Sequence, residues 1–350
     1  MIPPPPTEFW SIERANAERA VAVARFGFTD RQARFLVQVL LHSGVFVERQ
    51  FCQFAGIAHG QKSADFLTKL VSRRYATPIT TGALHRGRLF HVHYKPLWAA
   101  IGEPDSRFRK PAMLGRLIER VMILDAVLAE PKLVWLGPAA DKMRFLAGET
   151  DAASRLRQEE YPHLCFGEGA GKVTRYFPDK LPIGATASGS PHVFLYLVTK
   201  PSPVDFRAFL LRHAELLRAV REWTIRLLFP RSLSRATLAY QHAARDHLVT
   251  RLDLSVGDEL LWFFGERKRQ GQSPSNPAER PNRRLREAVK AFSAPRFSAL
   301  YRAWLAEGDI VVWRAQSSVT ADAVSLGRGR LECVVLSRQY LHLSRLVGVA

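Results

Sequence analysis

The pattern that most restricts the fold lies in residues 26–102, which begin FGFTDRQARFLVQVLLHSGVFVERQFCQFAG and continue into HGQKSADFLTKLVSRRYATPITTGALHRGRLFHVHY. Thr29 followed by Gln32 is a capping box, each side chain satisfying the other's free backbone N–H. It opens a helix expected over 30–42, where Phe35, Leu36, Val39 and Leu40 recur at helical spacing and Ser43-Gly44 supplies the stop. A short helix fits 47–54 and closes near Gly56. A third fits 61–74, with Phe66, Leu67, Leu70 and Val71 inward and Gln61, Lys62, Asp65, Lys69, Ser72 and Arg73 outward. Strands follow near 75–79 and 88–94, joined by a turn at Thr81-Gly82. Three helices and a hairpin in this order are the layout of a winged helix-turn-helix.

Charge falls where such a unit meets DNA. Between Phe26 and Lys110 there are 13 Lys and Arg against 5 Asp and Glu. Gln61, Lys62, Lys69, Arg73 and Arg74 belong to the third helix, and His85, Arg86 and Arg88 to the hairpin. The helix is expected to lie in the major groove, with the hairpin on neighbouring phosphates or the minor groove.

The whole chain of 350 residues carries a formal net charge of +19. That length suggests two or three domains. A field of that size attracts polyanions and says nothing about fold, so double-stranded DNA is the first partner expected, with a second copy of the chain as a further one. A membrane partner is not expected: no apolar run reaches the ~20 residues a spanning helix needs, and no basic helix has one strongly apolar face. MIPPPPTEFW lacks the basic start and apolar core of a signal peptide, and its prolines read as an extended lead-in. Cys52, Cys165 and Cys333 are few and far apart. They suggest neither a disulfide framework nor a zinc site and fit a cytoplasmic, nucleoid-associated protein. His91 and His93 alternate on a strand, but no Cys or carboxylate stands near them in sequence. No metal and no cofactor is expected.

After a basic connector at 105–111, a helix fits 113–129, a strand 132–136 and a short helix from Asp141. A strand is expected around Pro178-Asp179. HVFLYLV (192–198) and TIRLLFP (224–230) read as strands buried on both faces, with an amphipathic helix over 204–223 between them. Continuous apolar strands around a helix argue for a covered α/β sheet. FGEGAGKV (166–173) looks like a phosphate loop, but Phe166 stands where its first glycine belongs and Val173 where its Ser or Thr belongs.

The order of winged helix, linking helix, Pro-Asp, strand, helix and a strand ending Trp223-x-Ile225-x-Leu227-x-x-Pro230 resembles the replication-relaxation family of plasmid and mobile-element proteins. The resemblance covers about residues 26–232. It implies a C-terminal half similar to the PD-(D/E)XK nuclease fold and a role in replication, mobilisation or regulation of a mobile element. In that fold Mg²⁺ is held by an Asp and a second acidic residue, and a lysine assists the attacking water. On the resemblance, Asp179 takes the place of the Asp and Lys200 that of the lysine. Val198 and Tyr196 stand where the second acidic residue would be sought. The resemblance therefore implies a degenerate, non-catalytic sheet, unless Asp205 or Glu215 replaces the missing carboxylate.

In the last third, residues 251–264 read as a folded element. From Arg267 to Arg302 there are 10 Lys and Arg against 2 Asp and Glu. A loop is expected over 273–281 and a helix over 282–292, whose Arg283, Arg284 and Arg286 offer a second phosphate contact. IVVWRA and RLECVVLSRQYLHL alternate apolar and polar residues and suggest a β-rich end. The fold class expected is α+β: a Pro-rich lead-in (1–25), a winged helix-turn-helix (26–105), a small α/β nuclease-like domain (106–250) and a basic, partly β C-terminal region (251–350). The function expected is non-catalytic DNA binding. A metal-dependent DNA nuclease and a protein-interaction subunit are the alternatives.

Overall fold

The structure is a computed structural model and describes residues 7–79, 88–149, 156–167, 171–187, 189–272, 283–338 and 340. It is a mixed α+β chain. The N-terminal elements are α1 (Thr7–Ala24), α2 (Asp30–His42), β1 (Val45–Val47), α3 (Glu48–Ala55), α4 (Gln61–Ser72), β2 (Ala76–Ile79), β3 (Leu89–Val92) and α5 (Lys95–Ala100). The capping box forms: Gln32 N donates to Thr29 Oγ1 at 3.4 Å, and Thr29 N to Gln32 Oε1 at 3.1 Å. Antiparallel strands β1-β3-β2 make a small sheet. Phe35, Phe46, Phe51 and Phe66 are buried between it and the helices, with the Phe51 and Phe66 ring centres 4.1 Å apart.

Two expectations for this unit are corrected. The lead-in is not extended after the prolines: α1 begins at Thr7 and buries Ile12, Ala20 and Val23. Its Glu, Ala and Arg residues are good helix formers, and Arg19 anchors it to Asp141 at 2.8 Å. Val71 is not inward, since 37% of it is exposed; α4 turns its Phe66–Leu70 edge to the core instead.

The linking helix α6 (Leu114–Ala129) leads to β4 (Val134–Leu136), α7 (Ala139–Glu149), the hairpin β5 (His163–Phe166) and β6 (Val173–Tyr176), and then β7 (Ile183–Ala185) and β8 (His192–Leu197). α8 (Val204–Arg212), α9 (Ala214–Ala219), β9 (Trp223–Phe229) and α10 (Thr237–Leu248) follow. The remaining elements are α11 (Leu254–Gln272), α12 (Arg283–Ala291), α13 (Pro295–Glu307), α14 (Ile310–Gln316), α15 (Val319–Ser325) and β10 (Gly329–Val335).

The central sheet has the order β10-β9-β8-β7-β4. β8 and β9 run parallel, β10 runs parallel to β9, and β7 and β4 are antiparallel additions. All six residues of β8 are buried, which explains its unbroken apolar run. Both faces are covered: α8, α9 and α10 lie on one, α6 on the other.

Further expectations fail for local reasons. Pro178-Asp179 is a turn rather than a strand, flanked by Phe177 and Lys180 at φ 45° and 54°. Pro178 has no N–H to offer a ladder. The single helix expected over 204–223 breaks at His213, whose Nδ1 bonds to Phe209 O at 2.9 Å. IVVWRA is α14, not a strand, and buries Val311 and Val312; so short an apolar run does not discriminate helix from strand. The 251–350 stretch is divided between two cores. Its helices α11 to α14 gather around Leu260, Phe264 and Leu300, whereas β10 joins the central sheet.

Candidate nucleic-acid interface

α4 packs Phe66 and Leu70 into the N-terminal core and carries its polar residues on the opposite side. Lys62, Lys69 and Arg73 are spaced seven and four residues apart, which stacks them along one helix face. Gln61, Lys62, Arg73 and Arg74 are exposed, Lys69 half-buried. Gln61 Nε2 donates to Asp65 Oδ1 at 2.6 Å. Lys69 and Arg73 are not simply outward. Lys69 Nζ donates to Gly27 O at 2.9 Å and lies 5.8 Å from the Phe28 ring centre; Arg73 Nη1 donates to Phe26 O at 2.8 Å. Both cations therefore clamp the turn between α1 and α2. That turn needs glycine: Gly27 has φ +86°, and a Cβ there would stand 2.6 Å from Arg73 Nη1.

Arg88 is exposed immediately before β3. His85 and Arg86, at the expected hairpin tip, lie outside the described residues. Of the second basic group, Arg283 pairs with Glu287 at 2.9 Å on the helix surface. Arg284 pairs with Glu259 at 2.6 Å and lies 3.8 Å from the Trp262 ring centre, so its charge is engaged within the protein. Arg286 and Lys290 are exposed on α12.

The residues weighed for nuclease chemistry are each held by a counter-charge. Arg212 Nη1 donates to Asp179 Oδ2 at 2.7 Å, and Lys200 Nζ stands 2.9 Å from Asp205 Oδ2. Glu215 faces elsewhere, bound to Arg218 and Arg314. Val198 is fully buried. Among the described residues no three metal donors gather around Asp179. His91 and His93 are also engaged internally, with Phe108 O at 3.0 Å and Thr77 Oγ1 at 2.9 Å.

Sequence reasoning missed a buried cation beside Asp179. Lys142 is 1% exposed, donates to Leu181 O at 2.7 Å and lies 5.0 Å from the Phe177 ring centre. It lines a cavity of about 10 Å³, room for roughly one water, with Asp179, Phe177 and His213. Burial pushes the Lys142 ammonium down to about 7; Asp179 partly opposes this and Lys180 reinforces it. Above pH 7 the unfolded chain then binds a proton at Lys142 that the folded chain has released. Stability should therefore rise from about pH 7 toward the lysine's ordinary range, by up to about 1.4 kcal/mol per pH unit, and be lost again as pH falls to 7. Lys142→Met should remove most of the slope between pH 7 and 8; above that, Lys180, pushed down to about 8 by burial, adds a slope of the same sign that the variant keeps. Urea midpoints of both proteins between pH 6 and pH 9.5 check it: parallel curves would show that Lys142 keeps its proton when folded.

A cluster of three donors was also missed: Glu48, Cys52 and His59 converge at the α3–α4 corner. The four-residue spacing of Glu48 and Cys52 is its only trace in the sequence. Compared with protein families, characterised proteins and solved structures, the chain matches none.

Proposed function

We propose that the chain is a duplex-DNA-binding protein whose α2, α3, α4 and β2–β3 hairpin act as a winged helix-turn-helix. α4 enters the major groove, and Arg88 on the hairpin holds a neighbouring phosphate. The observation that carries this reading is the row of cations along α4 and just past its end, exposed at Lys62, Arg73 and Arg74 and presented beside the hairpin by a well-packed aromatic core. The five-stranded unit acts as a nuclease-like scaffold without catalysis. A metal ion at Asp179 would have to displace Arg212, and among the described residues no group of three metal donors forms around it. The biological role that the family resemblance implies is replication, mobilisation or regulation of a mobile element.

The side chain that tests this most directly is Lys62. It is exposed in the first turn of α4, the part of a reading helix that meets base edges. Lys62→Ala should weaken binding to the preferred duplex by roughly 1–3 kcal/mol and leave the circular dichroism spectrum unchanged. Arg73→Ala is less clean, because it also releases the Phe26 carbonyl. Duplex affinity equal to wild type in both variants would remove α4 from the interface and favour a protein-interaction role. The target is found by footprinting on genomic DNA: a discrete site indicates a regulator, diffuse occupancy a replication or architectural role.

A further inference from the structure

Where α3 turns into α4, three donors of different chemistry meet. Glu48 and Cys52 stand four residues apart on α3 and so project from one helix face. His59 comes from the connecting turn. One ligand atom from each lies within 4.8 Å of the other two, and among the described residues this is the one such group of three. His59 Nδ1 is already 3.5 Å from Glu48 Oε1. Ser63 Oγ, from the first turn of α4, donates to Glu48 Oε1 at 2.7 Å. Such an outer hydrogen bond is what orients a ligating carboxylate.

We propose that Glu48, Cys52 and His59 form a Zn²⁺ site whose fourth position is open to water. A thiolate and an imidazole select a borderline-soft ion over Mg²⁺ or Ca²⁺. Zn–S near 2.3 Å and Zn–N or Zn–O near 2.0–2.1 Å place tetrahedral ligand atoms roughly 3.3–3.6 Å apart. The three donors therefore need to close in by at most about 1.5 Å. Cys52 is buried and fixed, whereas His59 is exposed and Glu48 half-exposed, so the two mobile partners can close on the thiol. The Glu48–His59 contact has a sufficient explanation as an ion pair. The ion gives Cys52 a role in the same cluster and ties α3, through coordinate bonds, to the turn that sets the direction of α4. Any effect on duplex affinity rests on the reading of α4 proposed above; the site itself does not.

The experiment is a titration of the metal-stripped full chain with Co²⁺ alone. A thiolate-to-cobalt charge-transfer band should grow to about one ion per chain and vanish when Zn²⁺ is added. His59→Gln, a change at an exposed turn residue, should weaken Co²⁺ binding about ten-fold or more, and Cys52→Ser should abolish the band. His242→Gln, on the exposed side of α10, should change nothing. Absence of the band, its survival in Cys52→Ser, or His59→Gln binding as wild type would each overturn the site. Duplex affinity measured with and without Zn²⁺ on the same proteins separates the two ideas. Cobalt spectra as expected with unchanged DNA affinity would leave the site standing and remove its link to α4.

Discussion

Asp125→Ala should lower the stability of the protein by about 3–5 kcal/mol, the range for removing one partner of a buried ion pair. Asp125, on α6, receives both terminal nitrogens of Arg49 at 2.6 Å each, Gln50 Nε2 at 3.0 Å and the Tyr340 hydroxyl at 2.5 Å. Its side chain is 9% exposed and that of Arg49 29%. The fork geometry makes this a strong pair. Without the carboxylate, a half-buried guanidinium, the Tyr340 hydroxyl and one N–H of Gln50 lose their acceptor, while Gln50 keeps its bond to Val121 O, and each unsatisfied group costs free energy. Arg49 is exposed enough to swing toward water, which places the expected loss nearer the lower bound. Asp125→Asn keeps the shape but offers one oxygen and should fall between. Tyr340→Phe removes a single bond and should cost about 1 kcal/mol. The measurement is the midpoint of the first urea transition of the full chain. A loss under about 1 kcal/mol in Asp125→Ala would show that the cluster is no stronger than a solvated surface pair.

The parts of the fold legible in the sequence are those set by short-range periodicity. α2 and α4 show their apolar edges at helical spacing, and the Thr29/Gln32 capping box marks where α2 starts. β8 and β9 are apolar without alternation because both faces are covered. What periodicity does not carry is a break imposed by one side chain. His213 divides an amphipathic run in two by bonding back to Phe209 O. Nor does it distinguish the short apolar run of α14 from a strand. α1 was obscured by the prolines before it, although its composition favours helix.

At the candidate interface the residue types were legible but their commitments were not. Lys69 and Arg73 serve as clamps on the Phe26–Phe28 turn because that turn, distant in sequence, folds against the end of α4. Arg284 is likewise held by Glu259, far from it in sequence. The buried Lys142 and the Glu48–Cys52–His59 group escape a linear reading for the same reason. Their partners are set by how helices pack and turns fold, not by spacing alone.

The cations that remain available set the electrolyte dependence of binding, and the expected effect is large. Duplex affinity should fall about 10³-fold or more between 50 and 200 mM salt, the loss for six or more neutralised phosphates. Lys62, Arg74 and Arg88 are exposed with no ion pair among the described residues. Lys69 and Arg73 each give one N–H to a backbone carbonyl and have further N–H groups to offer a phosphate. Arg286 is the sixth, and Arg283 can join because its exposed pair with Glu287 is worth only a few tenths of a kcal/mol. Each phosphate contributes about −0.9 to the slope of log affinity against log salt, so six give a slope near −5. If only Lys62, Arg74 and Arg88 reach phosphate, the slope is near −2.7 and the loss roughly 40-fold. The two outcomes differ enough to decide whether Lys69, Arg73 and Arg286 join the three exposed cations on the duplex; Arg286 alone reports on α12. Arg286→Ala should flatten the slope by about 0.9 if α12 touches the same duplex as α4 and leave it unchanged otherwise. Affinity independent of salt would defeat both, because a chain of net charge +19 that gains nothing from releasing counterions is not using its basic face on DNA.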